Sequence, residues 1–219
     1  TNKVAAQLKT GAGPHEIAFN DDDRLVFVTN KDAGTLSLID VRKLAGSKEI
    51  KVGSSPAAIT FSSLSQTVYV ANEGDGTIAA ISGQKNDLVA RIQTEPGVGA
   101  ISVPQNGHYG FAVNPRQSKV YVFDLSSNRL VQSVPVGPGS DQISFTQQFA
   151  YVRSTGSEFV TMIKMTDIGK EAAVTKFPAG QRAPAESPSR SHAAAIVPAP
   201  EEGAVLVANP ADKMIYYYS

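Results

Sequence analysis

One line of sequence returns through the chain at a fixed interval. It reads GPHEIAF (13–19), RLVFVTN (24–30) and GTLSLID (34–40). It comes back as SPAAITF (55–61), TVYVAN (67–72) and GTIAAIS (76–82), then as GVGAISV (97–103), HYGFAVN (108–114) and SKVYVFD (118–124). A fourth copy is GSDQISF (139–145), FAYVRS (149–154) and EFVTMIKM (158–165), and a fifth is SHAAAIV (191–197), GAVLVAN (203–209) and KMIYYYS (213–219). Phe19, Phe61, Val103 and Phe145 stand 42 residues apart, and so do Asn30, Asn72 and Asn114. A fixed period of this length means one structural unit repeated, each unit burying its faces against its neighbours.

Each copy holds short β-branched and aromatic runs with period-2 alternation, separated by turn residues. A fourth run closes each of the first four copies: KEIKVG (48–53), LVARIQ (88–93), LVQSVPVG (130–137) and AVTKFPAG (173–180). Four short strands per repeat predict an all-β β-propeller of four-stranded antiparallel blades. The repeats span 13–53, 55–95, 97–137, 139–180 and 191–219, in one propeller domain or segment over 1–219. First strands are expected near 15–20, 57–62, 99–104, 141–146 and 192–198. Residues 3–10 (KVAAQLKT) match an outer, fourth strand. The insert 181–191 (QRAPAESPSRS) departs from the period. Two arrangements fit. Residues 3–10 could complete the last blade and close a five-bladed ring, or the chain is a segment of a larger ring.

Composition narrows the chemistry. The chain has 20 basic and 20 acidic residues and a formal net charge of zero, so it carries no nucleic-acid-type basic excess. With no Cys, disulfides, thiolate metal sites, Cys nucleophiles and covalent haem attachment through C-x-x-C-H are all excluded. No cofactor is required by the sequence. The apolar runs fall far short of a membrane span.

The copies FVTN (27–30) and YVAN (69–72), with the frame GPH…FNDDDRLVFVTN…GTLSLID, resemble the YVTN family of propeller repeats. The resemblance implies a propeller that is usually seven-bladed, which favours the segment reading, and a periplasmic or cell-surface setting. An incomplete ring would need a protein partner or a second copy. The frame is also similar to lactonase-type propellers, which implies hydrolysis with His15, Arg182, Arg190 and Glu73 as candidates. It is similar as well to the haem-binding propeller of periplasmic nitrite reductases, which implies His15 and His192 as iron ligands. A membrane span and nucleic-acid binding are not expected, and a small-molecule ligand is compatible with the sequence.

In a propeller the first strands line the central channel. His15, Ala57, Gly99 and Asp141 each stand four residues before an anchor, just ahead of a first strand. Laying SHAAAIVP on PHEIAFND puts His192 at the same place in the fifth copy. His15 and His192 are therefore the candidate metal or haem ligands, and His15, Asp141, Arg182, Arg190 and His192 the candidate ligand-binding set. Arg182 and Arg190 could clamp a carboxylate or phosphate. The recurring Asn30, Asn72, Asn114 and Asn209 read as structural, since a site needs one such residue and a fold needs one per blade. Asp21–Asp23 occupy a turn where Asp is expected, and His108 lies in a solvated turn. The leading expectation is a non-catalytic ligand- or protein-binding propeller, with a lactonase-like hydrolase and a haem- or metal-binding propeller associated with electron transfer as alternatives.

Overall fold

The computed structural model describes residues 3–105, 107–170, 174–180, 195–199 and 204–219. It is a β-propeller-type fold of consecutive antiparallel sheets. The first holds β1 (Pro14–Phe19), β2 (Leu25–Asn30), β3 (Thr35–Asp40) and β4 (Ala45–Lys51) in that order. The second holds β5 (Pro56–Ser62), β6 (Thr67–Asn72), β7 (Thr77–Ser82) and β8 (Asp87–Gln93). The third holds β9 (Ala100–Ser102), β10 (Tyr109–Asn114), β11 (Lys119–Asp124) and β12 (Arg129–Pro135). The fourth holds β13 (Ser140–Phe145), β14 (Phe149–Ser154), β15 (Phe159–Lys164) and β16 (Val174–Pro178). The fifth has three strands, β17 (Ala195–Ala199), β18 (Ala204–Asn209) and β19 (Met214–Tyr218). Among the described residues the one helical element is a 3-10 turn at Met165–Asp167, and no helix is long and apolar enough to cross a membrane.

The chain divides into two compact units, residues 1–110 with 125–129 and residues 111–124 with 130–219. In the first unit the alternating side chains of neighbouring sheets meet face to face. Phe27, Leu36, Leu38, Ile50 and Val52 of the first sheet pack on Ile59, Val68, Val70, Ala79 and Ile81 of the second. The Phe27 and Phe61 rings stack across this seam with centroids 6.4 Å apart. Tyr69 carries the same face onward: its hydroxyl donates to Asn128 Oδ1 at 2.9 Å. In the second unit, Tyr151, Val160 and Ala179 pack on Ile196, Val205 and Val207 of the fifth sheet. Full burial of a Val, Leu, Ile or Phe side chain contributes roughly 1.5–3 kcal/mol, so these seams are the main source of stability.

The turns repeat as the strands do. Asp40 Oδ1 accepts from the Arg42 and Lys43 backbone N–H groups, both at 3.0 Å, and closes the turn between β3 and β4. The Lys43 N–H bond above all, supported by the Lys43 ammonium and then by the Arg42 N–H, holds the Asp40 carboxyl below its ordinary range against the opposing effect of desolvation. In the β6–β7 turn, Gly76 takes φ +68 and faces the Glu95–Pro96 backbone so closely that an added Cβ would lie 2.3 Å from it. Only glycine fits there.

Two expectations are corrected. Residues 3–10 form no strand and are almost wholly exposed. A strand needs a neighbour's hydrogen-bonding edge, and residues 3–10 pair with none of the sheets, the three-stranded β17–β19 sheet included. The phase of the fifth copy also shifts. Ile196 pairs with Val207 as Ile17 pairs with Val28, so Ile196 stands at the position of Ile17. That is two residues away from the overlay that matched His192 to His15. The physical reason is the run of Ala and Ile residues there, which offers no large side chain to fix the register. The insert 181–191, with Arg182 and Arg190, and His192 lie outside the described residues.

Candidate functional site

In the first, second and fourth sheets the position four residues before the anchor proves to be a β-bulge. In the first sheet Pro14 faces Asn30 and Ile17 faces Val28, so His15 and Glu16 together oppose Thr29. In the second, Pro56 faces Asn72 and Ala58 faces Ala71, leaving Ala57 as the extra residue. In the fourth, Ser140 faces Ser154 and Gln142 faces Arg153, leaving Asp141. An extra residue in one strand falls out of the ladder and its side chain is re-aimed. His15, Ala57 and Asp141 thus share one geometric role, which a sequence spacing marks without explaining.

His15 is exposed, and its ring is fixed from one side. Nδ1 lies 2.7 Å from the carbonyl oxygen of Ala57, the bulge residue of the next sheet. A carbonyl only accepts, so Nδ1 carries the proton and donates. In the neutral ring the lone pair then sits on Nε2, the tautomer suited to coordination. Glu16 ties the same two strands together: its Oε2 accepts from the Ile59 N–H at 3.0 Å, and its own N–H donates to Thr29 Oγ1 at 2.9 Å. The bulge is therefore anchored on both sides of His15, and the imidazole is held by bonds that do not use Nε2.

Around it the β2–β3 and β6–β7 turns supply charge. Lys31 Nζ pairs with Glu73 Oε2 at 2.9 Å, each at the same position of successive repeats. Gly13, with φ +68, sits against Asp32, where an added Cβ would lie 2.6 Å from a carboxylate oxygen. Asp75 accepts from Ser54 N–H at 2.8 Å and from the Thr77 hydroxyl at 2.7 Å.

Asp141, in the second unit, is held by a bidentate pair. Arg153 Nε donates to Oδ1 at 2.8 Å and Nη2 to Oδ2 at 2.6 Å. Both its oxygens are engaged, and a metal would have to compete with a guanidinium in a favourable fork geometry. Among the described residues no group of three or more His, Asp or Glu side chains is placed to hold a metal ion.

The recurring Asn side chains are buried and structural. Asn114 Oδ1 accepts from Arg116 and Gln117 N–H, both at 3.1 Å, which is the turn role the sequence suggests. The other half of the amide does something the sequence hides. Asn72 Nδ2 donates to Val52 O at 3.0 Å, and Asn209 Nδ2 to Ala179 O at 3.3 Å. In each case the acceptor follows the last strand of the preceding sheet, so the amide staples sheet to sheet. Asp21 lies in the expected turn, where Oδ2 accepts from Gln66 Nε2 at 2.5 Å and Oδ1 from the Ser63 hydroxyl. His108 is exposed ahead of β10.

No protein-family profile matches the chain. No curated protein matches its sequence. Solved structures do match its fold. A hydrazine synthase from Kuenenia stuttgartiensis superposes with a TM-score of 0.70 at 15% identity, covering 95% of this chain and 58% of that one. A functionally unknown protein from Desulfotomaculum acetoxidans gives a TM-score of 0.70 at 17% identity, covering 90% and 63%. The dihydro-heme d1 dehydrogenase NirN, in complex with DHE, gives 0.64 at 14% identity, covering 78% and 39%. The chain thus spans less than two thirds of each of these neighbours. At such identities the likeness is one of fold.

Proposed function

We propose that this chain is a non-catalytic propeller scaffold that binds a metal-carrying ligand through His15 Nε2. The observation that carries the reading is the 2.7 Å bond from His15 Nδ1 to Ala57 O, which leaves Nε2 as the free nitrogen of a fixed, exposed ring. One nitrogen alone suits a metal whose remaining positions are filled by the ligand itself, as in a tetrapyrrole. The residues present fit that demand: His15 Nε2 would hold the metal, and the bulge would fix the direction of the ring. That one structural neighbour is a dihydro-heme d1 dehydrogenase in complex with DHE is consistent with this reading. The lactonase-like alternative gains less, because Glu73, its candidate carboxylate, is already engaged by Lys31 Nζ at 2.9 Å. The YVTN-type assignment rests on the repeat itself.

Ferric haem added to the purified chain tests the proposal. A saturable shift of the Soret band is expected with the wild type, and its loss with His15→Ala. Free imidazole should restore the band, since it replaces the missing donor. No shift with the wild type, or an unchanged shift with His15→Ala, would overturn the reading.

A further inference from the structure

The seams between sheets follow one rule. The face of a sheet that carries Phe27, Leu36 and Leu38 is covered by the opposite face of the next sheet, the one that carries Ile59, Phe61, Val68 and Val70. The rule recurs in the second unit, where Phe111 of one sheet meets the Phe145 ring at 5.2 Å, the same pair of positions as Phe27 and Phe61. The fifth sheet obeys it on one side only. Its Ile196, Val205 and Val207 are buried against the fourth sheet. On its other face Val197 pairs with Leu206 and Leu206 with Tyr217, an apolar row across all three strands. Leu206 stands three residues before Asn209, as Phe27 stands before Asn30 and Tyr69 before Asn72. Phe27 and Tyr69 are fully buried, yet Leu206 is 40% exposed. Ile215 pairs with Ala208 as Leu36 pairs with Thr29 and Ile78 with Ala71. Leu36 and Ile78 are fully buried, whereas Ile215 is 71% exposed.

The mating face exists in the same chain. On the first sheet Ile17 and Phe19 hold the positions that Ile59 and Phe61 hold on the second, and they share that face with Val26 and Val28. Ile59 is buried, but Ile17 is 62% exposed and Phe19 50% exposed. We propose that these two faces dock between copies: the Leu206–Ile215–Tyr217 face of one chain on the Ile17–Phe19 face of a second copy, continuing the sheet-on-sheet seam. Phe19 of the second copy would then lie over Leu206, as Phe61 lies over Phe27. The contact is heterologous, using different patches on the two copies, so it propagates head to tail. The residues named on both patches are apolar, so the driving force is apolar burial.

Analytical ultracentrifugation of the 219-residue chain with two single variants tests this. Wild type is expected to associate as concentration rises. Ile215→Glu should block one face and Phe19→Glu the other, each weakening self-association by about tenfold or more. Mixed together, the two variants should form a one-to-one dimer and stop there, because each supplies the face the other lacks. Far-UV circular dichroism checks that both are folded, and Ile17→Glu replaces Phe19→Glu if that chain is not. A wild type that stays monomeric, variants that associate as the wild type does, or a mixture without a dimer would overturn the proposal. So would a crosslink between residues 19 and 206 formed within one chain.

Discussion

Leu44 is the residue most at odds with its own backbone. It sits in the β3–β4 turn with φ 49, the left-handed region, where a Leu side chain crowds the following carbonyl. The same turn position 42 residues on is Asn86, with φ 56, and after another 42 it is Asn128, with φ 54. Asn tolerates this region because its short amide bonds locally. Leu44 is about half exposed, so replacing it removes little burial. Leu44→Asn is therefore expected to stabilise the chain by about 0.5–1 kcal/mol. An upward shift of the urea midpoint at unchanged slope would show it; a downward shift would mean that the Leu44 side chain contributes more packing than its exposure implies. The repeating Asn at the end of four of the second strands, Asn30, Asn72, Asn114 and Asn209, teaches the converse lesson. Its recurrence is visible in the sequence, and so is its turn role. Its donation to Val52 O or Ala179 O is not visible, because a backbone carbonyl has no identity in a sequence.

That hidden bond sets how one sheet sits on the next. Asn72 is fully buried and satisfies both Val52 O and Thr77 Oγ1. Asn72→Ala removes one of two donors to the Val52 carbonyl, which keeps its bond from the Arg91 guanidinium, and takes the Nδ2 donor from Thr77 Oγ1. The expected cost is about 0.5–1.5 kcal/mol, the net worth of a typical hydrogen bond, and thermal unfolding of the variant measures it. No measurable loss would mean that the Arg91 guanidinium alone satisfies the carbonyl. The fourth sheet shows that the link can be rebuilt by other groups. There Ser154 takes the Asn position, its hydroxyl meets Ser140 Oγ at 2.9 Å, and Ser140 donates to Gly137 O at 2.5 Å. Legibility also stops at the bulge. Spacing singled out His15 and Asp141, yet a two-against-one count can be seen only when the facing strand's register is known. The chemistry followed the same limit: nothing in the sequence pairs Asp141 with Arg153, twelve residues on and across a hairpin.

For the whole molecule the period carried almost everything, because a 42-residue spacing reports a structure in which every unit must meet a copy of itself. It failed where the count was broken. Past the insert 181–191 the small residues of SHAAAIV left the overlay loose, and the strand register puts Ile196 at the position of Ile17, two residues from where laying SHAAAIVP on PHEIAFND had put it. Nearest-neighbour stacking also makes a prediction about unfolding. Phe27 is fully buried between the first and second sheets and stacks on Phe61. Phe27→Ala should cost about 3–5 kcal/mol, because the void lies between two stiff sheets that cannot collapse into it. In a stacked array such a loss acts first on the repeats that share the seam. Amide exchange should therefore quicken across β1–β8, while β13–β16 of the other unit keep their wild-type protection. Hydrogen exchange read by mass spectrometry on peptides from both units decides it. A uniform loss of protection over β13–β16 as well would mean that the two units unfold as one, and that the seam at Phe27 supports the entire chain.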